Sequence, residues 1–77
     1  MQHLKVSKMI DAYTIAKGIA ANVQTIAQST TLITLLDAGT IKEGSFVGDV
    51  YVERANLNER RERSEASIRQ WLQQPGR

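Results

Sequence analysis

The sequence predicts an α+β fold of one small domain, in the order long helix, short helix, β-hairpin and C-terminal helix. Three observations carry that prediction: apolar residues recur at helical spacing early in the chain, strand formers gather around Gly48, and a charged segment with helical pairings fills the end. The 77 residues make a single domain over 1–77, because a chain this short cannot bury two cores. With no cysteine, neither disulfides nor thiolate metal ligands brace it. Packing must suffice, completed by partner subunits in a homo-oligomer.

The long helix is expected over residues 6–28. At about 100° per residue, Val6, Met9, Ile10, Tyr13, Ala16, Ile19, Ala20, Val23, Ile26 and Ala27 share one face, while Asp11, Thr14, Lys17, Gln24, Thr25 and Gln28 lie opposite. Ser7 is placed to cap its start, and Gly18 inside it costs about 1 kcal/mol relative to Ala. Continuing the same wheel puts Leu32, Leu35 and Leu36 on the polar side. A turn at residues 28–30 is the expected resolution, followed by a short helix over 30–38 with Ser29 or Thr30 as N-cap and Gly39 ending it. The TTLIT segment also reads as a strand on its β-branched content.

Two short strands are expected near 40–46 and 49–54, since Val50, Tyr51 and Val52 are strand formers and the chain turns around Val47 and Gly48. Asn56 then begins the last helix, with Glu59 in capping-box position and Pro75 and Gly76 marking its end. Its apolar residues are Leu57, Ala66, Ile68, Trp71 and Leu72. Glu59 with Arg63 and Glu65 with Arg69 stand in the favourable i, i+4 order, worth about 0.2–0.5 kcal/mol each.

Catalysis needs a convergent constellation, and none is present. His3 is the only histidine and lies near the start; Asp11, Asp37 and Asp49 are scattered; the glycines spell neither a dinucleotide fingerprint nor a P-loop; no metal-ligand spacing occurs. The expectation is a protein that is not an enzyme, without cofactor, metal or small-molecule substrate. The most apolar stretch, 32–36, is far shorter than the roughly 20 residues a membrane span needs, and no signal peptide is evident. A cytoplasmic protein with no membrane partner is expected. Net charge is +2, spread evenly: three Lys against two Asp in residues 1–38, seven Lys or Arg against six acids in 39–77.

Residues 29–57 resemble the second half of the winged helix-turn-helix domains of phage excisionases and mercury-resistance-type regulators. The shared features are the Ser29, Thr30 and Thr31 cluster, the Leu35 and Leu36 pair, Gly39 followed by Ile41, a wing with Gly48, the strand at Val50 to Val52, and Leu57. The resemblance implies a winged-helix-like core over about 6–57, with a polar C-terminal helix over about 57–73. It further implies double-stranded DNA as partner, and a small transcriptional regulator or recombination directionality factor of phage or mobile-element origin. Thr30, Thr31 and Thr34 would then face the major groove, Gln28 and Ser29 would stand where the recognition helix begins, and Lys42 and Arg54 would contact phosphates beside the wing. Ile68, Trp71 and Leu72 are the expected oligomer interface.

Ser and Thr at a helix start are also simply caps, and the recognition helix contains no Arg or Lys to read guanine. The alternative is a non-catalytic assembly protein, resembling the small head-to-tail joining proteins of phages, or an adaptor docking on a host protein. In either, the apolar stripe of the long helix faces another chain.

Overall fold

The computed structural model of the chain describes residues 11–74. Helix α1 runs over Ala12–Asp37, strands β1 (Phe46–Val47) and β2 (Val50–Tyr51) form an antiparallel hairpin, and helix α2 runs over Arg54–Leu72. The fold is thus mixed α+β and mostly helical. The two helices lie antiparallel, as the pairing of Gly18 with Trp71, Asn22 with Ser67 and Asp37 with Arg54 shows. The hairpin closes one end of a rod measuring 57 × 19 × 16 Å.

The main correction concerns residues 28–30, which do not turn. α1 is unbroken through Gln28, Ser29 and Thr30 and ends only at Asp37. The phase change read from the sequence is real, but it marks a second stripe on the same helix. Ile15, Gly18, Asn22, Thr25, Ser29, Leu32 and Leu36 follow one another at alternating intervals of three and four, the spacing of a helix–helix seam. Along this line α1 meets α2 through Gly18, Asn22 and Leu32. The leucines that seemed out of phase are its apolar end, so no separate short helix exists.

Both ends of α1 are set by their caps. Asp11 is extended and its carboxylate accepts from the Thr14 N–H at 2.8 Å, so the helix starts at Ala12; the expected start near Val6 with Ser7 as cap lies outside the described residues. At the far end Gly39 takes φ +76°, the Thr40 N–H donates to Leu35 O at 2.9 Å, and the Gly39 N–H donates to Leu36 O at 3.0 Å. This is the crossed pair of bonds of a Schellman ending, as the expected stop at Gly39 requires.

The strands are shorter than expected, two residues each, with Phe46 opposite Tyr51 and Val47 opposite Val50. Gly48, with φ +62°, leads the two-residue turn, and bonds between Gly44, Ser45 and Val52 extend the pairing. α2 begins two residues before the expected cap at Asn56. Its N-cap is Glu53, whose side chain makes no capping bond; the Arg54 N–H is met instead by Glu43 Oε2 at 2.7 Å, and the Asn56 amide donates to Tyr51 O. The core sits where the hairpin meets both helices. Leu32, Val50 and Leu57 form it, Ile33, Leu35, Leu36 and Ile41 pack around it, and Val52 is fully buried.

Candidate functional site

Of the residues expected to read DNA, all but Ser29 are exposed. Ser29 is fully buried in the seam, not exposed at the start of a separate helix. Gln28 accepts a long bond of 3.4 Å from Arg60. Thr30, Thr31 and Thr34 are exposed on the outer side of α1, where the Thr34 hydroxyl donates back to Thr30 O at 3.0 Å. They lie mid-rod on a continuous helix rather than at the N-terminus of a projecting one, so no free backbone N–H groups accompany them. Lys42 is exposed in the loop before the hairpin. Arg54 is engaged with Asp37 at 2.7 Å, tying the end of α1 to the start of α2.

Of the expected interface residues, Trp71 has an intramolecular role. Its indole lies against Gly18, so close that a Cβ added there would overlap the ring. Ile68 is half-buried and Leu72 is 68% exposed. The expected i, i+4 pairs of α2 do not form: among the described residues Arg54 with Asp37 is the only ion pair within 4.0 Å. Such exposed pairs contribute little and need not hold one geometry.

The seam itself is unusual, because its middle is polar. Asn22 Nδ2 donates to Ser67 Oγ at 3.0 Å and to Gly18 O at 2.8 Å, and Thr25, Ser29 and Ser64 fill the positions between there and the apolar end. Sequence reasoning missed this line, since its residues are not apolar; the three-and-four spacing that leads back from Leu36 and Leu32 was the available signal.

The greasier stripe of α1 faces elsewhere. Ala12, Ala16, Ile19, Val23, Ile26, Thr30 and Ile33 are also spaced by threes and fours, about a quarter-turn from the seam. Val23 is 52% exposed, the alanines are exposed, and Ile19 and Ile26 are only half-covered. Helical geometry places this stripe beside Ile68 and Leu72 of α2, because the bond between Gln28 and Arg60 lies on the other flank. That flank is apolar along α1, while on α2 the same line, at spacings of four, three and four, runs from Arg61 and Glu65 to Ile68 and Leu72.

No protein-family model, curated protein or solved structure matches the chain. What the molecule does must therefore be argued from its surfaces. Among the described residues no group of His, Cys, Asp and Glu is placed to hold a metal ion, and no helix is long and apolar enough to cross a membrane.

Proposed function

We propose that this protein is a non-catalytic assembly subunit that associates with further copies of itself through the apolar flank of its helical hairpin. The observation that supports this reading is that the apolar stripe of α1 is not the stripe that packs on α2. The middle of the intramolecular seam uses Gly, Asn, Thr and Ser, while Val23 stays exposed and Ile19 and Ile26 are only half-covered.

Charge favours a second copy as the occupant. Lys17 and Asp37 are the only charged residues among the 26 of α1, whereas α2 carries five Arg and three Glu in 19. A helix meant for water carries charges, as α2 does; interface centres are depleted in them. Two α1 stripes, neither of which carries a charge, can meet around a two-fold axis without stranding an ion, and a two-fold pairing needs only one self-complementary surface. The size is adequate. A face about 39 Å long, from 26 residues at roughly 1.5 Å each, and 19 Å wide is on the order of 700 Å², close to the ~800 Å² per partner of stable interfaces.

DNA binding through a wing and recognition helix has less support, since α1 is continuous and Ser29 is buried. Light scattering on a sizing column separates the two readings. The wild type is expected at a multiple of 8.6 kDa, and Val23→Glu with Ile26→Glu at the monomer mass with its helicity kept. A wild type that stays monomeric at high concentration overturns the assembly reading. Duplex affinity that falls in Thr31→Ala with Thr34→Ala would restore the DNA reading.

A further inference from the structure

The flank opposite the apolar one has a feature that self-association does not use. An open groove of about 260 Å³ runs along the polar middle of the seam, lined by Asn22, Thr25, Arg60, Arg63 and Ser64. Two of these side chains are cations and none is a carboxylate. Asn22 and Thr25 are committed to carbonyls of α1 and to Ser67, so they wall the groove. Among the described residues the donors left for a ligand are those of Arg60 beyond its long bond to Gln28, Arg63 and the Ser64 hydroxyl, which the spacing i, i+3, i+4 brings together on one turn of α2.

Arg60 is the informative member. Its Nε is sealed from solvent, and no acceptor among the described residues reaches it; its Nη2 makes one long bond to Gln28 Oε1. Covered polar atoms in folded proteins are almost always paired, and a covered edge of a charged group is costly to leave without an acceptor. The usual answer is a facing carboxylate, but the single acid of α1, Asp37, is held by Arg54. Glu59 and Glu62 line a different groove with Glu53. The fold thus covers one edge of the Arg60 guanidinium, leaves the rest at the groove, and supplies it with no anion among the described residues.

We infer that this groove is a binding site for a phosphate-class oxyanion, held by Arg60 and Arg63 with the Ser64 hydroxyl completing the contacts. Two guanidinium forks match a dianion in charge, and their planar donors suit its several oxygens. The site lies on the other side of the rod from the assembly surface, so it stands or falls independently of that reading.

Sodium phosphate titrated into the isotope-labelled full chain, at constant ionic strength, tests it by NMR. Saturating shifts confined to Thr25, Arg60, Arg63 and Ser64 are expected, with slowed solvent exchange of the Arg60 and Arg63 Nη protons. Arg60→Gln should weaken binding at least about tenfold, as loss of a charge-assisted bond implies, while Arg69→Gln, outside the groove, leaves it unchanged. Should Arg60→Gln fail to fold, Arg63→Gln serves, because Arg63 is exposed and its loss leaves the packing intact. Glycerol phosphate in a parallel titration distinguishes the source: binding equal to that of the free ion assigns the site to the phosphoryl end of a larger molecule, and failure to bind assigns it to inorganic phosphate. Small equal shifts at every arginine, or equal effects of Arg60→Gln and Arg69→Gln, would mean ionic screening only and overturn the inference. A short DNA duplex that binds where phosphate and its ester do not would overturn it as well.

Discussion

Gly18 reads in the sequence as a defect in a helix and turns out to be a fitted surface. The indole of Trp71 lies on its Cα, where any Cβ would overlap the ring. Two effects therefore oppose each other in Gly18→Ala: a gain of about 1 kcal/mol in helix propensity and the loss of the indole's packing, worth roughly twice that. Urea melts should show Gly18→Ala about 1 kcal/mol less stable than wild type, with red-shifted tryptophan emission. In a Trp71→Ala background the same change should stabilise by about 1 kcal/mol, and a sign that does not reverse would refute the contact. Ser29 is the converse case, a residue read as exposed that is buried with its Oγ unpartnered. Ser29→Ala removes an unsatisfied hydroxyl and improves propensity, so it should raise stability by about 1 kcal/mol, some 4–8 °C in Tm. A lowered Tm would show that the hydroxyl has a partner after all. Neither role was legible beforehand, because each depends on α2 arriving alongside, a long-range fact that local pattern does not contain.

At the level of elements, the sequence told helix from hairpin correctly and misjudged where the helices break. The apolar stripe at Ile19, Val23 and Ile26, the stop at Gly39 and the turn at Gly48 were all readable, because each rests on local periodicity or on backbone that glycine alone adopts easily. The false turn at 28–30 arose from assuming that one helix has one apolar face. α1 has two, since it packs on α2 along one line and exposes another. Its start depends on Asp11, whose carboxyl is held below the ordinary aspartate range by bonds from the Thr14 N–H and hydroxyl. A lowered folded value means the cap stabilises the helix above the unfolded titration range and is lost as pH falls through the folded value. The Thr14 amide resonance should therefore move with a midpoint below that of an unstructured aspartate, and Asp11→Asn should keep the cap while flattening this response. A midpoint at or above the ordinary value would mean the cap does not hold in solution.

For the whole molecule, the decisive quantity is how little the isolated chain buries. Among the described residues, Leu32, Val50, Val52 and Leu57 are the only buried apolar side chains, all at the hairpin end, while the middle of the rod is joined by Gly, Asn, Thr and Ser. At about 1.5–3 kcal/mol for each fully buried aliphatic side chain, such a core stands against an ordering cost of at least 1 kcal/mol for every residue fixed. A second copy laid on Ile19, Val23, Ile26, Ile68 and Leu72 would extend burial along the rod, where α2 packs only through polar side chains and the Trp71 indole on Gly18. Stability would then be shared between chains, and mass action makes this measurable. If folding and pairing are coupled, each tenfold rise in protein concentration adds about 1.4 kcal/mol per dimer, which for two chains of this length should raise Tm by several degrees. Val23→Glu with Ile26→Glu should abolish the concentration dependence and lower Tm at every concentration. A wild-type Tm that stays constant over a hundredfold dilution would show that the four-residue core carries the fold alone, and the apolar flank would then need a partner other than this chain.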